Sequence, residues 1–127
     1  MPKNMNRILI LSADLTLINR LAPAMREADF DVACAADIAE GLKQLDQSKI
    51  GLVILDELLP ADSWRLCQRI NYVFNTNIIF MGSRPDSKVW CVAEETGFDF
   101  YMEKPVSFPE LSTRAKALLR RRKATRN

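Results

Sequence analysis

The sequence predicts an α/β domain in which a parallel sheet is covered by helices on both faces. Three observations predict it. Short strand-like apolar runs alternate five times with longer stretches of helical period. The run Gly51-Leu52-Val53-Ile54-Leu55 is apolar without alternation, as in a strand buried on both faces. The length, 127 residues at 48% hydrophobic, suits one domain that buries its own core.

Each element has its own signal. Arg7–Leu11 reads as strand 1. Asp14 caps a helix running to about Ala28, with Leu17, Ile18, Leu21 and Met25 on its inner face. Phe30–Ala35 is strand 2. Asp37 caps helix 2, with Ile38, Leu42 and Leu45 inward. Leu52–Leu55 is strand 3. Asp62 or Ser63 caps helix 3, whose face is Leu66, Cys67, Ile70, Val73 and Phe74. Ile78–Met81 is strand 4. Helix 4 runs from about Asp86 to Thr96 and stops at Gly97. Phe98–Met102 is strand 5. Helix 5 starts near Ser107-Phe108-Pro109-Glu110 and ends in an Arg-rich run. Five strands alternating with five helices imply a three-layer (βα)5 sandwich. Right-handed crossovers leave few topologies, and the flavodoxin-like order 2-1-3-4-5 is the expected one.

Composition narrows the function. There is no histidine, so the commonest general base and metal ligand is missing. The loops carry no Gly-rich phosphate cradle and no activated nucleophile, so no enzyme is expected. Cys34, Cys67 and Cys91 are odd in number and sit in apolar stretches, as reduced thiols of a cytoplasmic protein do. No apolar stretch approaches the ~20 residues of a membrane span, and no signal peptide is evident. Residues 1–113 hold 11 Lys+Arg and all 16 Asp+Glu, whereas residues 114–127 hold seven basic residues and no acid. The basic run has no accompanying aromatic or Gly residues, so it reads as a helix C-terminus entering a linker.

Asp56 ends strand 3. In the expected strand order, strands 1 and 3 are neighbours, so Ser12-Ala13 and Asp56 meet at the switch point where open α/β sheets bind ligands.

These residues resemble the receiver domain of two-component response regulators. The carriers are Leu52–Asp56 followed by Leu59-Pro60, then Gly97-Phe98-Asp99-Phe100-Tyr101-Met102-Glu103-Lys104-Pro105, and Glu110-Leu111 with Ala117-Leu118-Leu119-Arg120-Arg121. The resemblance implies a phosphoacceptor position at Asp56, served by a histidine kinase. It implies a pairing lysine at Lys104, a cis Lys104–Pro105 bond and a switch-reporting aromatic at Tyr101. Three positions depart from it. The acidic pair that holds Mg²⁺ falls on Ser12 and Ala13. The hydroxyl residue ending strand 4 falls on Gly82. A small residue early in helix 3 falls near Trp64.

The departures carry a physical consequence. Placing a phosphoryl group on a carboxylate crowds negative charge, which a metal neutralises, and Mg²⁺ demands octahedral oxygen ligands. Without the pair, only Asp56, a carbonyl near Leu58 and Asp14 remain, and Asp14 is one residue late and caps a helix. Ser83 is one residue past the lost hydroxyl, which in a strand points it to the other face. The expectation is an atypical receiver with weak or absent Mg²⁺ binding and no resident cofactor, in which Asp56 and Lys104 form a standing ion pair.

The resemblance, with the ending Ala117-Leu118-Leu119-Arg120-Arg121-Arg122, points to the OmpR/PhoB class of transcription factors. Residues 1–122 are then the receiver-like domain, and 123–127 begin a linker to a DNA-binding domain absent from this chain. That class dimerises through helix 4, strand 5 and helix 5. Val89-Trp90-Cys91-Val92-Ala93 is apolar at five consecutive positions, which cannot all face a core. Val89, Trp90, Val92, Asp99, Phe100, Glu110, Arg114 and Arg121 are the candidate homodimer residues. In that class acids of this region pair with arginines of helix 5, a part open here to Asp99, Glu110, Arg114 and Arg121. Phe100 stands where an Asp is common, so the ion-pair network is incomplete and a more apolar interface is expected. Two alternatives stay open: a conventional phosphorylated receiver using Asp14 or Glu57 in place of the lost pair, and a stand-alone adaptor that docks on another protein.

Overall fold

The computed structural model describes residues 6–57, 66, 67, 69–83 and 98–120. Five parallel strands form one sheet: β1 (Arg7–Leu11), β2 (Asp31–Ala35), β3 (Leu52–Asp56), β4 (Asn77–Gly82) and β5 (Phe100–Glu103). Their order is β2-β1-β3-β4-β5, as expected from the sequence. The helices described are α1 (Leu15–Glu27), α2 (Ile38–Gln47) and a C-terminal helix (Phe108–Arg120).

Strand alternation sorts the core into two layers. Ile8, Ile10, Leu52, Ile54, Ile79, Met81 and Met102 pack with Leu21 and Met25 of α1 and with Leu111, Ala115 and Leu118 of the C-terminal helix. Leu9, Leu11, Val53, Leu55, Ile78 and Phe80 pack on the other face with Leu45 of α2 and with Leu66, Cys67 and Ile70. Both helix caps are made as predicted: the Leu17 N–H donates to Asp14 Oδ1 at 3.2 Å, and the Glu40 N–H donates to Asp37 Oδ1 at 2.8 Å. Gly41 brings α2 close to β1, because a Cβ there would lie 2.8 Å from Leu11 Cδ1.

Two expectations are corrected. Val73, predicted inward, is 61% exposed. Residues Ile70–Phe74 form a π-helical turn, which winds more slowly than an α-helix and carries Val73 out of the α-helical phase. Strand 5 begins at Phe100, not Phe98. Just before it, Asp99 Oδ2 accepts the Ile78 N–H at 2.8 Å, so a side chain takes the place of a ladder carbonyl. α1 carries Pro23 in its interior, a residue that donates no helical hydrogen bond, yet the apolar face holds the helix against the sheet. The predicted helix 4, the Asp62 or Ser63 cap and Trp64 lie outside the described residues.

Candidate functional site

The site lies at the carboxyl ends of β1, β3 and β5. Period-two alternation decides which side chains share it. Ser12 follows Leu11 by one residue and Asp56 follows Ile54 by two, so both continue the row that faces α1 and the C-terminal helix. Lys104 follows Met102 by two and continues the same row. The register brings their strands together: Leu11 pairs with Leu55, and Asp56 pairs with Met81.

The three side chains form one network. The Ser12 hydroxyl donates to Asp56 Oδ2 at 2.6 Å, and the Lys104 ammonium donates to Asp56 Oδ1 at 2.6 Å. Ser12 also accepts the Asp14 N–H at 3.0 Å, while its own N–H donates to the Ala35 carbonyl. The Lys104 N–H donates to the Gly82 carbonyl at 2.6 Å, which anchors the lysine's backbone to β4. Asp56 is 0% exposed and the Lys104 side chain 18%. Burial of a carboxylate is tolerable only when it is paired and hydrogen-bonded. The Lys104–Pro105 bond is cis, as the resemblance implied; X–Pro is the setting where that isomer is cheap.

The other predicted positions divide between the two faces. Ala13 is exposed and carries no polar atom in its side chain. The carboxylate of Asp14 caps α1. Gly82 is buried and Ser83 exposed. Tyr101 packs on the opposite face of the sheet from Asp56, beside Phe80 and Phe98 at centroid distances of 6.1 and 6.5 Å. Glu57, a stand-in metal ligand in the sequence reading, has a structural part instead. Its Oε2 accepts the Ser83 N–H at 2.7 Å, bridging the ends of β3 and β4. Its place one residue after Asp56, and so on the opposite side of the strand, is the sequence signal that marks it for this role.

On the dimer candidates, the Arg114 guanidinium carbon lies 4.4 Å from the centroid of the Phe100 ring. Asp99, expected on an ion-pairing surface, is turned to the Ile78 N–H. Glu110 is exposed in the first turn of the C-terminal helix, where its N–H donates to the Ser107 hydroxyl. Val89, Trp90, Val92 and Arg121 lie outside the described residues. Among the others, burial raises the thiol pKa of Cys34, partly offset by Arg26. Burial raises that of Cys67 far more, with the Asp99 carboxylate adding to it.

The family model described as the response regulator receiver domain matches residues 8–116. The chain belongs to the response regulator receiver family. Among curated relatives, the transcriptional activator protein IrlR of Burkholderia pseudomallei is 33% identical over 119 residues, covering 93% of this chain and 52% of IrlR. The response regulator protein GraR of Staphylococcus aureus is 31% identical over 116 residues, covering 91% of this chain and 52% of GraR. This receiver chain thus spans about half the length of the curated relatives it matches. A two-component response regulator from Clostridium difficile superposes with a TM-score of 0.86 at 27% identity, over 91% of this chain and 97% of that one. Among the described residues, no helix is long and apolar enough to cross a membrane.

Proposed function

We propose that this chain is an atypical receiver of a transcription regulator, which acts through dimerisation with little or no Mg²⁺-dependent phosphorylation of Asp56. One observation carries the reading: Ser12 and Lys104 each donate a 2.6 Å hydrogen bond to a different oxygen of a carboxylate with no exposed surface. In this reading the Lys104 ammonium supplies the positive charge that a metal would otherwise bring. The donor set does not suit Mg²⁺. A serine hydroxyl that donates a hydrogen bond to Asp56 stands where an acid is needed, Ala13 offers no side-chain ligand, and Asp14 is committed to its helix cap. Among the described residues no three His, Cys, Asp or Glu side chains group closely enough to hold a metal ion.

The half-length match to transcriptional regulators supports a DNA-binding domain beyond this chain, with a histidine kinase as the upstream partner if Asp56 is ever used. Dimerisation would run through helix 4, β5 and the C-terminal helix. Incubation with acetyl phosphate and Mg²⁺, read by intact mass, is expected to leave the chain unmodified. The Ser12→Asp/Ala13→Asp double variant is expected to gain one phosphoryl group. A stoichiometric phosphoryl gain by the parent chain, abolished by Asp56→Ala, would establish the conventional phosphoacceptor instead.

A further inference from the structure

The opposite face of the sheet holds a feature that the Asp56 network does not use. A Cβ built on Gly82 would collide with the Tyr101 hydroxyl and would come within 2.6 Å of Glu57 Oε1. Both oxygens therefore sit on the side of Gly82 where another residue would carry its side chain. Neither oxygen is at the end of a loose chain. The other oxygen of Glu57 accepts the Ser83 N–H. The Tyr101 hydroxyl is buried, and its ring is seated against Phe80 and Phe98. Separations below 3 Å from a Cβ are not tolerated, so a side chain at position 82 and the buried hydroxyl cannot coexist without one of these groups moving.

We propose that Gly82 is the positioning residue for Tyr101: its missing side chain leaves a slot that the phenol fills, holding the β4–β5 edge in one state whatever happens at Asp56. The slot lies on the sheet face opposite Asp56 and holds Tyr101 whether or not Asp56 accepts a phosphoryl group. Glu57 forms the wall of the slot, and its bond to the backbone of Ser83 keeps that wall in place. A residue larger than glycine would push the ring from Phe80 and Phe98 toward solvent.

The chain has two tyrosines, Tyr72 and Tyr101, so a Tyr72→Phe background with 3-fluorotyrosine reports Tyr101 alone by fluorine NMR. The expected result is a single resonance with a small solvent isotope shift, unchanged by beryllofluoride with Mg²⁺. Gly82→Thr is expected to move that resonance and enlarge its solvent isotope shift. Gly82→Ala adds the Cβ alone and gives the same readout should the threonine variant fail to fold. An exposed or exchanging Tyr101 in the parent background, a response to beryllofluoride, or an unchanged resonance in folded Gly82→Ala would each overturn the proposal.

Discussion

Asp56 is a buried charge, and what surrounds it decides what it does. Each of its oxygens accepts a short hydrogen bond, one from a neutral hydroxyl and one from an ammonium. Exposed ion pairs contribute ~0–1 kcal/mol, but removing one partner of a buried pair leaves an uncompensated charge and costs ~3–5 kcal/mol. Lys104→Met is therefore expected to lower the unfolding free energy by about 3 kcal/mol or more. Asp56→Asn/Lys104→Met, which removes both charges, is expected to recover much of that loss. Urea titration of the set checks it, and a Lys104→Met variant within about 1 kcal/mol of the parent would show a solvated pair of little consequence. The Asp56 and Lys104 positions were legible in the sequence because the strand pattern and the Lys-Pro motif flag both. The role of Ser12 was not: by itself the residue looked like the loss of an acid, and only the β1–β3 register turns its hydroxyl into a donor to Asp56.

At the scale of elements, β5 and the C-terminal helix show why a candidate interface needs more than a residue list. Arg114 and Asp99 looked like complementary charges in the sequence. In the fold, Arg114 lies over Phe100 and Asp99 is bonded to the backbone of β4. A cation over an aromatic ring is worth ~0.5–1 kcal/mol at an exposed site and is satisfied within one chain. A dimer built on this face would then depend on apolar contact more than on ion pairs across it. Sedimentation is expected to show a dimer that survives a rise from low to high salt, since screening weakens ion pairs and spares apolar burial. Phe100→Ala is expected to weaken it. A dimer that dissociates with salt, or a parent chain that is monomeric throughout, would sink this reading. The π-helical turn teaches the same lesson. Of five residues that read as one α-helical face, Leu66, Cys67, Ile70 and Phe74 stay in the core, while the changed winding leaves Val73 in solvent.

The whole molecule is a sheet with two filled faces, and its response to pH follows from what those faces bury. Cys67 is fully buried against β3 and β4, with its thiol pKa raised from the ordinary 9.0 by desolvation and by Asp99. In the unfolded chain the thiol ionises near its ordinary value, whereas in the native state it stays protonated. Through this thiol the unfolded state binds fewer protons above about pH 9, so its contribution to stability is unchanged below that pH and falls as pH rises beyond it. Denaturant midpoints between pH 8 and pH 10.5 are expected to decline less in Cys67→Ala than in the parent, even though the variant is less stable at neutral pH. Parallel declines in the two proteins would remove Cys67 from the explanation.

By itself the sequence determined the architecture. Apolar periodicity, caps at Asp14 and Asp37 and right-handed crossovers are local or statistical constraints, and together they lead to the observed strand order. It also marked Asp56, Lys104 and Gly82 as the positions to watch. What the tertiary structure alone decided is which side chains meet at those positions. Ser12 lies 44 residues from the carboxylate it donates to, and the Tyr101 hydroxyl fills the space beside Gly82. Such meetings depend on strand register and on a few ångströms of space, and residue spacing along a chain encodes neither.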